Sequence, residues 1–209
     1  MKTRFTLTSL ALASLMMMGN AAMADVVPSN TNKYFNMKIK IVGSCEVFTT
    51  INGKESAIST AEDPASGTDI DFGEKKAEKN SPAITQMNAG GAAQGITVHC
   101  SKNTAFKVAM EPESSHSQDG SGNMIGLASQ EQVPYQLYKP TVTGNKLDEA
   151  FGPNASENRW GKGDDALTLT GKGLGTAINI PVFAKIEQGI LTDKTPDTYQ
   201  DRVKVTLTY

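Results

Sequence analysis

The sequence predicts an all-β chain, a β-sandwich or barrel, and three observations lead there. Apolar and polar residues alternate with period two in several short runs. Gly, Asn, Ser, Thr, Asp and Pro interrupt those runs roughly every ten residues, a spacing typical of sandwiches. Helical periodicity is nowhere sustained, and neither an internal repeat nor a linker long enough for a second domain is visible.

The chain opens on Lys2 and Arg4, followed by the mostly apolar run Leu7 to Met18 and the small-residue pattern Ala22-Met23-Ala24. This is the layout of a signal peptide, expected over residues 1–24, with the mature chain starting at Asp25. The apolar run is shorter than the ~20 residues a membrane helix needs, and no second apolar segment follows, so no membrane span is expected.

After the polar stretch Pro28 to Lys33, Phe35, Met37, Ile39 and Ile41 alternate with Asn36, Lys38 and Lys40. Ile96 and Val98 lead into Cys100, and Phe106, Val108 and Met110 alternate with Lys107 and Ala109. Val133 to Tyr138 and Leu167 to Leu169 are short candidates. Ile178, Ile180, Val182 and Ala184 form another, in which Pro181 points to an edge position or a bulge. Val203, Val205, Leu207 and Tyr209 alternate with Lys204, Thr206 and Thr208. Pro82 to Ala93 reads as loop. Glu111 to Gln132 and Thr141 to Asp164 read as long loops, which at such length are functional or disordered.

The net charge of −2 becomes −4 once the two basic residues of the signal peptide are removed. Acids and bases are interspersed, which argues against a nucleic-acid partner. The two cysteines, Cys45 and Cys100, both lie in the mature chain of an exported protein and read as one disulfide. Closing that loop removes roughly 4 kcal/mol of denatured-state freedom in the chain-entropy model. A metal or redox pair would need a C-x-x-C spacing or more histidines than His99 and His116.

No motif supports catalysis or a cofactor. Gly171-Lys172-Gly173-Leu174-Gly175 lacks the spacing of a phosphate loop. Asp119 to Asn123 lacks the ligand set of a calcium loop. Asp164-Asp165 and Asp69/Asp71 are paired acids, but alternation puts Asp69 and Asp71 together on a solvated strand face, and nothing raises a glycosidase pair above background. His116 lies in a Ser-rich loop with no G-x-S-x-G elsewhere. Trp160 and Tyr199 read as core or loop anchors, and Asn154-Ala155-Ser156 is a sequon by pattern only.

The two ends carry more information. Alternation runs through Val203, Val205 and Leu207 to Tyr209, so the last strand is expected to bury one face up to its end, with a partner along its backbone. The strand over Phe35 to Ile41 has two readings. It is the first strand of the chain's own sheet, or a donor strand that completes a neighbour's sheet. Burying its four side chains is worth roughly 6–12 kcal/mol gross, against a total domain stability of ~5–15 kcal/mol. Alternation leaves both readings open.

The stretch Pro196-Asp197-Thr198-Tyr199-Gln200-Asp201, followed by the strand Arg202 to Tyr209, resembles the ending of the spore coat protein U domain family. That family includes pilins of archaic chaperone–usher systems. Gly43-Ser44-Cys45, Ile70-Asp71-Phe72-Gly73, Ile96 to Cys100, Val133 to Tyr138 and Ile180 to Ala184 resemble further family segments in order. Thr198 stands where the family often has Gly, and the two long loops are expanded.

The resemblance implies an immunoglobulin-like sandwich over 43–209 that lacks its last strand, preceded by a donor-strand extension over 25–42. Its donor residues would be Phe35, Met37, Ile39 and Ile41, with Val26 and Val27 contributing. The acceptor groove would be walled by Val203, Val205, Leu207 and Tyr209, and Tyr199 and Asp201 would be the family motif. It implies a periplasmic chaperone, an outer-membrane usher and other pilin copies as partners. The product would be a non-enzymatic shaft or minor subunit of a surface pilus that supports adhesion and biofilm formation. The competing reading is a self-contained secreted β-sandwich that binds a glycan or small ligand through its long loops. A periplasmic enzyme is a third possibility, without a visible active site.

Overall fold

A computed structural model describes residues 34–51, 54–57, 69–88, 95–143, 146–147 and 158–209. The expected signal peptide, Val26 and Val27, and part of the second long loop, with Asn154, lie outside the described residues. The chain divides into two units after Ile41. In the first, residues 34–41 hold neither strand nor helix, and Phe35, Met37, Ile39 and Ile41 are 83–86% exposed. The strand expected there is therefore not formed within this chain, and the reading in which it joins the chain's own sheet finds no ladder.

The second unit is all-β. Its strands are β1 (Cys45–Ile51), β2 (Lys54–Ala57), β3 (Ile84–Met87), β4 (Ile96–Cys100), β5 (Ala105–Pro112), β6 (Ser121–Gly126) and β7 (Gln132–Tyr138). They continue with β8 (Val142–Thr143), β9 (Lys146–Leu147), β10 (Leu167–Thr170), β11 (Ile178–Ile180), β12 (Phe183–Ile186), β13 (Tyr199–Gln200) and β14 (Val203–Thr208). The ladders give sheets ordered β11-β4-β1-β2, β10-β5-β14 and β13-β6-β7-β12-β3, with β8-β9 as a separate hairpin.

The alternation read from the sequence explains how these sheets bury their faces. In β5, Phe106, Val108 and Met110 are 0–2% exposed while Ala105 and Lys107 face out. Ile96, Val98, Ile178 and Ile180 from the first sheet, Leu167 from the second, and Val133, Leu137, Ala184 and Ile186 from the third complete one apolar cluster. Trp160, fully buried, anchors the second long loop in this core and donates its indole N–H to the Val108 carbonyl at 2.9 Å. Such a partner is what a buried indole needs. The disulfide expected from the sequence is present: Cys45 and Cys100 are directly paired in the β1–β4 register, their Cα atoms 4.1 Å apart.

Twice the chain changes sheet in mid-run. The single strand expected over Ile178 to Ala184 breaks at Pro181-Val182, so β11 pairs with β4 while β12 pairs with β7 and β3. Pro181 has no N–H to give a ladder, and the break falls where none is needed. The second change is at Asp201-Arg202, between β13 in the five-stranded sheet and β14 in the three-stranded one.

Other strands lie where the sequence suggested none: β1 and β2, β3 inside the expected loop Pro82 to Ala93, β6 inside the expected loop Glu111 to Gln132, β8 and β9 inside the expected loop Thr141 to Asp164, and β13. Conversely, 69–78 contain no strand, so Asp69 and Asp71 do not share a strand face. Asp71 instead closes a turn, its Oδ1 accepting from the Gly73 amide at 2.7 Å.

Candidate functional site

β14 lies at the end of its sheet. Its ladder to β5 runs from Val203 opposite Pro112 to Thr208 opposite Lys107. Among the described residues its other edge has no ladder, although β1 comes within 8 Å, Cα to Cα. Val203, Val205 and Leu207 turn toward the core and pack against it, yet each is only half-buried. Their cross-strand partners Pro112, Met110 and Val108 are all buried. β14 thus contributes to the core while part of its apolar face stays in contact with water, a state that one more strand alongside would end. Tyr209 departs from expectation. The strand stops at Thr208 and the ring is 62% exposed, because nothing described covers it.

The residues ahead of β14 hold two carboxylate-centred corners. At the first, Asp197 Oδ2 accepts from the Ser129 amide (2.7 Å), the Ser129 hydroxyl (2.8 Å) and the Ala128 amide (2.9 Å), while Oδ1 accepts from the Thr198 amide at 2.8 Å. Those donors, the Ser129 amide foremost, hold its carboxyl down at about 2. Beside it Tyr199 donates its hydroxyl back to the Thr195 carbonyl at 2.7 Å, with Glu131 Oε2 as a second acceptor at 3.3 Å. Glu131 also accepts from the Thr195 amide at 3.0 Å.

The second corner is Asp201. Its Oδ2 accepts from the Ser114 hydroxyl (2.6 Å) and the Tyr135 hydroxyl (2.8 Å), and its Oδ1 from the Arg202 amide (2.8 Å) and the Ser114 amide (3.2 Å). Ser114 Oγ in turn accepts from the Asn123 amide at 2.8 Å. Burial, and after it the Asp201 charge, push the Tyr135 phenol well above the usual range, so it remains a donor at ordinary pH. Arg202 closes the corner on the outside, its Nη2 and Nε reaching Glu113 Oε2 at 2.7 and 2.9 Å.

Both tyrosines reach their acceptors across glycines of β6. Gly122 is paired with Tyr135 and Gly126 with Tyr199. A Cβ at Gly122 would stand 2.5 Å from the Tyr135 hydroxyl, and one at Gly126 would stand 2.6 Å from Asp197 Oδ2. Tyr199 and Asp201 are the motif residues expected from the sequence, whereas Ser114, Tyr135, Asp197 and Glu131 join them only through the fold. The available signal was the glycine pair in Ser121-Gly122-Asn123-Met124-Ile125-Gly126, which reads as a loop until the opposing rings are known.

Among the described residues no cluster of His, Cys, Asp and Glu could hold a metal ion, and no helix is long and apolar enough to cross a membrane. His116 meets Glu111 Oε1 at 3.3 Å, and Lys162 meets the same oxygen at 2.7 Å, so these groups tie the two long loops together.

A search of curated proteins finds no match. Among solved structures, one similar chain comes from the chaperone–tip adhesion subunit pre-assembly complex of archaic chaperone–usher Csu pili of Acinetobacter baumannii. It is 16% identical, covers 82% of this chain and 41% of that one, and has a TM-score of 0.41. Another comes from a chaperone–tip adhesin complex described as vital for synergistic activation of CFA/I fimbriae biogenesis. It is 9% identical, covers 78% and 42%, and has a TM-score of 0.41. The chain thus spans about two fifths of the length of either. The family model of the Spore Coat Protein U domain matches residues 31–206. The chain belongs to the Spore Coat Protein U domain family.

Proposed function

We propose that this protein is a structural subunit of a surface pilus, assembled by donor-strand exchange through a chaperone–usher pathway and serving adhesion and biofilm formation. The observation that carries the reading is a complementary pair. Phe35, Met37, Ile39 and Ile41 form an alternating apolar segment exposed to water, and β14 offers an edge unpaired among the described residues, with half-buried Val203, Val205 and Leu207. A strand with apolar side chains on one face, added at that edge, would gain main-chain hydrogen bonds and bury both sets together. In this reading a periplasmic chaperone holds the edge first, and the extension over 25–42 of another copy replaces it at an outer-membrane usher. Family membership supports the reading, and no cofactor enters it.

The test is a denaturing gel of protein sheared from producing cells, with and without boiling. The full chain is expected to give a ladder of multimers that collapses to one band on boiling. Deleting Asp25 to Val42 is expected to abolish the ladder while leaving a folded monomer. Multimers from the truncated chain would overturn the donor assignment. A single monomer band from the intact chain would favour the self-contained binding module.

A further inference from the structure

We propose that Asp201 is the positioning residue of the acceptor edge, its carboxylate bridging two sheets and holding β14 in strand form while its outer edge is empty. This rests on the reading of β14 as an acceptor and adds to it the means by which an unfilled edge keeps its shape.

Three observations carry it. Among the described residues β14 has a ladder on one side only, and its apolar side chains are half-buried, so neither hydrogen bonding nor burial holds it as firmly as β5. The chain enters β14 by crossing from the five-stranded sheet, and Asp201 sits at that crossing. Its four donors come from both sides of it. Tyr135 belongs to β7 of the five-stranded sheet, and Ser114 follows β5 of the three-stranded one. Hydrogen bonds to an ionised acceptor are among the stronger ones in proteins. The Ser114 amide and hydroxyl reach the carboxylate just past the point where Pro112 pairs with Val203, so the first rung of the β5–β14 ladder is fixed at the corner. With that end pinned, fraying is confined to the Tyr209 end.

The test uses the full chain with two readouts. Hydrogen exchange follows the amides of Val203 to Thr208 against those of β4 and β7, and fluorescence anisotropy follows a labelled peptide of residues 34–43 binding the protein. Asp201→Ala is expected to speed exchange in β14 by about tenfold or more, with β4 and β7 unchanged. It should slow peptide association by a similar factor and leave dissociation of the formed complex unaltered. Tyr135→Phe removes one donor while keeping the ring, and should move both readouts less in the same direction. It decides the matter where Asp201→Ala does not fold. Wild-type exchange in β14, or an equal rise in β4 and β7, would overturn the positioning role. Failure of the wild-type chain to bind the peptide would overturn the acceptor reading instead, with exchange still deciding the role of Asp201.

Discussion

Asp197 and Asp201 are four positions apart, and each carboxylate collects three donors from segments distant in sequence and a fourth from the amide of the next residue. A different arrangement occurs at His99. Its Nε2 lies 2.8 Å from Glu55 Oε1 and its Nδ1 lies 2.8 Å from the Leu174 carbonyl oxygen. Both neighbours are acceptors, so both contacts are hydrogen bonds only when the ring carries two protons. The Glu55 hydrogen bond first, then the Leu174 carbonyl and the charges of Glu55 and Glu46, raise the His99 pKa against an opposing effect of burial. A raised folded value means the contribution to stability is complete below the ordinary histidine value of 6.5 and is lost as pH climbs through the raised one. An NMR titration of the two histidines should find His99 above 6.5, and Glu55→Gln should bring it down. An unmoved His99 in that variant would remove the ion pair as the cause.

At the level of elements, β5 and β14 are neighbours with the same alternation and unequal burial. Met110→Ala is expected to destabilise the isolated chain by about 2–5 kcal/mol, as truncation in a packed core does. Leu207→Ala should cost under about 1.5 kcal/mol there, because its side chain already meets water. Adding the peptide of residues 34–43 should raise the Leu207→Ala penalty toward the core range and leave that of Met110→Ala unchanged. Urea denaturation with and without peptide measures both. Equal penalties before and after would mean that the peptide does not cover β14.

Much of this architecture is legible in the sequence, since β5, β7, β10 and β14 are runs whose alternation is their burial, whereas β4 buries Thr97 along with its apolar residues. β6 is not legible because two of its six residues are glycines, Gly122 leaving room for Tyr135 and Gly126 for Ser129 and Asp197, a property of residues outside the strand. β1 hid behind Cys45 and threonines. Residues 35–41 mark the other limit. Alternation states which face of a strand would be apolar, but not whether a partner strand exists in the same chain. The Asp201 corner shows the same limit, since the Ser114 and Tyr135 donors come from residues remote in sequence.

Across the molecule, the Cys45–Cys100 bridge spans 55 residues and ties the start of β1 to the end of β4, on the sheet whose β1 approaches β14. Replacing both cysteines with serine is expected to lower stability by about 4 kcal/mol in the chain-entropy model, read as a fall in the urea midpoint. A shift below about 1 kcal/mol would mean that the denatured chain keeps this region ordered.

The single open edge of β14 also has a consequence for symmetry. If that edge takes a segment from another copy, the contact joins two different surfaces, and it closes on itself only through a reciprocal swap or a ring. Repeated without ring closure, it produces a polar filament of unlimited length. However long that filament grows, one subunit at one terminus keeps an unfilled edge, and one at the opposite terminus keeps an unused segment. Its ends are therefore chemically distinct, and each needs its own cap or anchor.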